Sequence, residues 1–309
     1  MGESGYLGNV RLSRPRSVVT VTVIALLTVA FFALTASSAR AAACTKNWDG
    51  DGADGSWHTA TNWDGDTLPT ATDHVCIEPG APITVTHTSN ITTSILSLTT
   101  NANASLDLSL GLLNVTDPVE PSTLGADLTL SSSGDVRFLS SLTVSGDVDI
   151  SGGFAILRVD GVGTVAGNVT LGGNTSSAID GQGTGTLQVA GNFTWRTGDL
   201  SNIAVTVTSS SSLETTGLKQ LNAGASLTLN GATTWTGGTI DLQSASSITN
   251  NNTFTVTADP ALINNGGGVA SAFNNTATGS FIINTAAPDV TVEIPFNNDG
   301  TMSFTSGDV

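Results

Sequence analysis

The sequence predicts an all-β chain wound as a parallel β-solenoid, or β-helix, with about 20 residues per coil. Three observations carry this. Residues 143–153, Thr-Val-Ser-Gly-Asp-Val-Asp-Ile-Ser-Gly-Gly, return at 164–173 as Thr-Val-Ala-Gly-Asn-Val-Thr-Leu-Gly-Gly, with further copies at 189–195 and 229–235. Each copy alternates apolar and polar residues around a fixed glycine, the pattern of two short strands meeting at a corner. Only 11% of the residues are charged and 5% aromatic, while Gly, Thr, Ser, Asn, Val and Leu dominate, which suits many tightly turned strands and not helices. A strand pair this short cannot bury its apolar face alone, so the copies must stack on one another.

At the N-terminus, Arg11, Arg14 and Arg16 precede an apolar run from Val18 to Ala36, followed by Ala39, Ala41 and Ala43. A charged region, an apolar region and small-residue cleavage sites make residues 1–43 a signal peptide, so the chain is expected to be secreted or held at the cell surface. The run is long for such a signal, and an uncleaved anchor is the alternative. Acylation of Cys44 is a second alternative, weakened by Ala41 standing where lipoprotein signals usually carry leucine. No later stretch is apolar enough to span a bilayer once the signal is removed.

Residues 44–80 form the one part of the chain that does not repeat. Cys44 and Cys76 are the only cysteines, and in an exported chain such a pair is expected to form a disulfide, worth on the order of 3 kcal/mol for a loop of roughly thirty residues. Between them lie Trp48, Trp57 and Trp63 with Asp49, Asp51, Asp54, Asp64 and Asp66 among glycines. The tryptophans suit a cap that seals the first coil, with a sugar-stacking platform as the alternative. Asp49, Asp51 and Asp54 resemble a short calcium loop, since hard oxygen ligands on a flexible segment suit that ion, although the distal Glu of a twelve-residue loop is missing. Calcium is the only cofactor the sequence suggests.

Gly55, Trp57, Asn62, Trp63, Gly65, Pro69 and Asp73, leading into an apolar strand at 75–77, resemble the Gly-x-Trp, Asn-Trp and Gly-x-x-Pro head segment of secreted bacterial parallel β-helix proteins, both autotransporter-passenger-like and adhesin-like. Asp66 stands where many of them have glycine. The Gly-x-x-Thr-Trp-x-x-Gly and Phe-Asn-Asn units further on resemble repeats of the same proteins. The resemblance implies the fold and an extracellular setting, and no single activity.

Residues 81–309 are the solenoid proper. One interior face threads through Val85, Leu106, Leu128, Val148, Val169, Leu187, Val205, Leu227 and Ile248, and a second through Leu113, Val136, Leu157 and Ile179. Gly146, Gly167, Gly191 and Gly231 are expected at corners, where positive φ and the absence of a side chain ease the turn. Phe273-Asn274-Asn275 recurs as Phe296-Asn297-Asn298, with no capping unit after it, which suggests further coils downstream.

Net charge is −16, and a surface of that sign repels nucleic acid and anionic membranes. Arg137 and Arg158 are separated by one period of the repeat and are expected to stack on successive coils. Asp135, Asp160 and Asp180 relieve their repulsion as a charge ladder, with an anionic-sugar site as the alternative. His58, His74 and His87 share no zinc-like spacing. No Gly-x-Ser-x-Gly elbow, phosphate loop or His-Glu-x-x-His occurs. The expected function is a non-enzymatic exported rod, adhesive or structural, whose partners are host or matrix polysaccharide or a surface protein. The alternatives are a carbohydrate-active β-helix enzyme, a lyase or hydrolase working through stacked Asp residues, and a sugar- or calcium-binding module.

Overall fold

In the computed structural model, residues 42–214, 217–257, 261–265, 270–285 and 290–306 are described. Apart from its last two residues, the expected signal peptide lies outside them. Each repeat copy folds as its pattern requires. Residues 135–150 form three short strands, Asp135–Phe138, Leu142–Val144 and Val148–Ile150, separated by tight corners. Each pairs in parallel with its counterpart one coil on: Asp135 with Ile156, Thr143 with Thr164, Val148 with Val169. Repetition of this step gives a solenoid with three sides. Among the described residues the first two share a 20-stranded sheet and the third is a separate sheet of 11 strands. The shared sheet is continuous because Ala178–Val189 and Gly198–Val207 run from the first side to the second without a break.

Period-2 alternation sends one residue set inward on every side. The first side buries Leu113, Val136, Leu157 and Ile179 in one column, as expected, and continues it through Leu200, Leu221 and Leu242. The other expected thread requires correction. Val85, Leu106, Leu128, Val148 and Val169 do form a column on the third side, but it continues through Phe193, while Leu187, Val205, Leu227 and Ile248 stack on the second side. All of these are buried. The cause is a longer coil: the step from Val169 to Phe193 exceeds that from Val148 to Val169, and a register shift lies between Asp180 and Gly185. A thread of uniform spacing therefore slips from one side to the next at that coil.

The fixed Gly-Asx pair of the repeat sits at the corner between second and third sides, and both residues have a structural task. The Asp127 carboxylate accepts the N–H of Asp147, Asp147 that of Asn168, and Asn168 that of Asn192, at 2.7 to 2.9 Å. The side chain of each coil thus caps a corner amide of the next. The glycine permits the approach: a Cβ on Gly167 would stand 2.3 Å from the Gly146 carbonyl oxygen, and one on Gly191 2.2 Å from that of Gly167. Contrary to expectation, none of Gly146, Gly167, Gly191 and Gly231 has positive φ. Contact between stacked backbones selects glycine there.

Toward the last coils aromatic rings replace aliphatic columns. Phe254 stacks on Phe281 at 5.4 Å and Phe273 on Phe296 at 5.2 Å. Beside them an amide ladder runs from buried Asn250 and Asn275 to exposed Asn298, with bonds of 2.8 and 2.6 Å that satisfy the two amides otherwise costly to bury. This explains the first Phe-Asn-Asn unit, in which Phe273 and Asn275 are buried while Asn274 between them is half-buried.

Candidate functional site

Chemically active side chains concentrate in two places, the tryptophan head and the outer face of the first side. In the head, Cys44 and Cys76 form a disulfide, and Lys46–Asn47 extends the second side by pairing with His74–Ile77. Trp48 and Trp63 meet edge to face at 5.0 Å, as do Trp57 and Trp63 at 4.9 Å. All three are buried, and the Trp63 indole N–H donates to the Trp57 carbonyl. The rings are spent on one another and on the first coil, which leaves no free face for a pyranose ring. The amphipathic character of tryptophan does the work of a plug.

The aspartates between them are not gathered about a point. Asp54 accepts from the Ser56 amide, from Thr59 and from Asn62, and these bonds, that of Thr59 foremost, hold its carboxyl below its ordinary pKa. Asp49 accepts from the Asp51 amide. The arrangement is that of Asx turns organising the loop. Among the described residues no group of three His, Cys, Asp or Glu side chains is placed to hold a metal ion.

His58 and His87 pack edge to face at 4.5 Å where the head meets the first coils. His87 Nδ1 lies 2.9 Å from the Leu110 carbonyl, so it carries the proton, and Nε2 accepts from Thr93. Burial holds both imidazoles below their ordinary pKa, which favours the neutral form of each. His74 bonds Ser97 instead and belongs to no shared site.

The first side brings together the predicted ladder and more. Asn114, Arg137, Arg158 and Asp180 stand in one outward column. Arg137 binds Asp160 through Nε at 2.9 Å and Nη2 at 2.5 Å. Arg158 binds Asp135 one coil back and reaches Asp180 at 3.9 Å. Both guanidinium groups are thus engaged by carboxylates, and three aspartates surround the two arginines. Burial outweighs Arg158 at Asp135, whose carboxyl is pushed up.

A second column two residues along the strand was not singled out by the sequence reading: Asp135, Ile156, Ala178, Asp199, Gln220, Asp241. Asn222 donates to Asp199, and Gln220 and Gln243 donate to Asp241. Burial raises the Asp199 carboxyl to about 6. One oxygen each of Asp135, Asp160, Asp199 and Asp241 is buried without a protein partner. The regular spacing from Asp199 through Gln220 to Asp241 was the available signal, masked by the two apolar residues below it. Lys219 was also missed. It is fully buried, its ammonium donates to the carbonyls of Gly217 and Gly237, and burial lowers its pKa to about 8.

The fold and these two regions define a class, a parallel β-solenoid closed at its first coil by a disulfide-linked tryptophan head and carrying a charge ladder on one side. The chain matches no protein-family model, no curated protein and no solved structure. Among the described residues no helix is long and apolar enough to cross a membrane.

Proposed function

We propose that the protein is an exported, non-enzymatic solenoid that acts as an adhesive or structural element outside the cell. The observation that carries this reading is the closure of the charge ladder on itself: Arg137 and Arg158 are occupied by Asp160, Asp135 and Asp180, so these groups join coils instead of presenting free charge to a ligand. The disulfide agrees with an oxidising compartment. Its partners in this reading are matrix polysaccharide or a surface protein, held by the polar sides of the solenoid.

A second reading, a carbohydrate-active enzyme, has its own support. Three aspartates gather around two arginines on the same face as Asp199, whose carboxyl burial raises to about 6. One assay separates the two. The purified protein is incubated at pH 5 to 7 with neutral and uronate-containing polysaccharides, and new reducing ends and unsaturated uronate absorbance are followed. Binding without turnover is expected. Turnover by the wild type that is lost in Asp199→Ala, with the fold intact by circular dichroism, overturns the non-enzymatic reading.

A further inference from the structure

One corner of the solenoid is built unlike its neighbours. Between the first and second sides, Leu96 alone separates the strand Thr92–Ile95 from Ser97–Thr100, and residues 139–141 separate Asp135–Phe138 from Leu142–Val144. In the coil between these two, residues 116–121 intervene. Pro118 and Pro121 stiffen this longer corner. The Asp117 carboxylate accepts the amides of Val119 and Glu120 at 2.8 and 2.9 Å, and these bonds, that of Glu120 foremost, hold its carboxyl below the ordinary range.

What the corner presents is Glu120. Its Oε1 accepts the N–H of Ala42 at 2.5 Å, from 78 positions earlier in the chain, and its carboxylate makes no other hydrogen bond or ion pair with a described residue. The nitrogen is held from its other side, because Cys44 is tied to Cys76 and the Thr45 amide donates to the His74 carbonyl at 2.9 Å. Both Ala42 and Glu120 are half-buried. A carboxylate so placed gains modestly from one neutral amide and roughly twice as much from an ammonium. The residues before that nitrogen, Ala39-Arg40-Ala41, have the small-x-small form of a signal-peptide cleavage site, and so do Ala41-Ala42-Ala43. A cut after Ala43 would discard the Ala42 nitrogen and strip Glu120 of its partner.

We infer that the signal peptide is cut between Ala41 and Ala42, two residues before the boundary expected from the sequence, and that Glu120 is the receptor for the new N-terminus. Hydrolysis by a signal-peptide-cleaving protease breaks the Ala41–Ala42 peptide bond: the hydroxyl of water joins the Ala41 carbonyl carbon and its proton goes to the Ala42 nitrogen. The new carboxylic acid then ionises and the amine takes up a proton, as an α-amine does at neutral pH. A carboxylate leaves with the signal peptide, and an ammonium stays facing Glu120. Processing thereby turns an amide contact into an ion pair that ties the disulfide-linked head to the coil of Leu112–Val115 and Ser122–Leu124. The inference rests on the exported reading and adds to it the site of processing and the residue that receives its product.

The test begins with the N-terminal sequence of the protein recovered from outside the cells that make it. Ala42 is expected as its first residue. Export with a start at Cys44, acylated or not, or at any other residue overturns the inference and leaves the exported reading standing, whereas retention of the uncut chain inside the cells overturns both. The ion pair is then read from reactivity. At pH 7 an acetylating ester should modify the Ala42 α-amine several-fold more slowly in wild type than in Glu120→Gln. Glu78→Gln, which alters an exposed glutamate past the far end of the strand His74–Ile77, should react as wild type. Circular dichroism confirms the fold of each variant, and Glu120→Asp, whose shorter side chain draws the carboxylate back, serves if Glu120→Gln does not fold. Equal rates in wild type and the folded Glu120 variant overturn the pairing.

Discussion

Replacing Val169 with aspartate tests the interior columns directly. Val169 is fully buried on the third side between Val148 and Phe193. Its removal forfeits about 2 kcal/mol of apolar burial. A carboxyl in its place faces apolar neighbours, so it must hold a proton at neutral pH or stay charged without a partner, and the total loss comes to about 4 to 6 kcal/mol. That approaches the stability of a whole domain, yet a solenoid is stabilised coil by coil, so the damage should be local. Thr194 is the control. It faces out between Thr170 and Ser212, and Thr194→Asp should cost less than about 1 kcal/mol. Thr170 would serve less well, because it stacks on Asp149 and a new carboxylate there would meet a like charge. Hydrogen exchange read by mass spectrometry should show Val169→Asp losing protection from about residue 148 to 195, with the tryptophan head protected as before. Urea titrations should place its midpoint well below that of Thr194→Asp, and the gap should narrow at pH 4, where the new carboxyl is neutral. Equal losses in the two variants, or intact protection at 148 and 193, would refute the stacked-column argument.

Gly167→Ala should lower stability by about 1 to 3 kcal/mol, because its Cβ would meet the Gly146 backbone. Gly80→Ala, with open space around it, should leave the calorimetric midpoint unchanged. Removing both cysteines, 32 positions apart, should cost about 3 to 4 kcal/mol and speed amide exchange in the head before the coils; unchanged exchange there would count against the head as a stapled cap. Asp199→Asn concerns pH. A carboxyl raised to about 6 in the fold is easier to ionise in the unfolded chain, so ionisation costs stability above that pH and the cost fades as pH falls through about 6 toward 4. The variant should therefore melt higher than wild type at pH 8, by about 1 kcal/mol after allowance for partial solvent screening, and equally at pH 4. A variant less stable than wild type at pH 8 would show that the Asn222 bond outweighs burial.

Much of this was legible in the residues because the fold is nearly one-dimensional. The alternation in 143–150 fixes which residues point inward, and its return at 164–171 fixes what each stacks on, so the pairing of Arg137 with Arg158 and of Val148 with Val169 follows from counting. The paired cysteines and the tryptophans between them marked the head for the same reason, as the stretch where the count fails. Counting broke down where coil length changes. Beyond the long coil after Val169, equal spacing no longer means the same side, and Leu187 passed to the second side while Phe193 took the place expected of it.

Ionisation, burial of polar groups and the use made of each surface were matters of three dimensions. The sequence placed Trp48, Trp57 and Trp63 together, but only packing decided that their faces meet one another and not solvent. Asp49, Asp51 and Asp54 had the composition of an ion loop, and local backbone geometry directed them to amides and hydroxyls instead. Asp199 acquires its raised pKa from what stacks above and below it, which a linear pattern does not record. The sequence by itself determined the coil, its interior and its closed head, because each depends on periodicity and contacts one turn away. Tertiary structure alone decided which side each column occupies and which polar groups are spent, because corner lengths set the angle between strands and burial sets the chemistry of every group they carry.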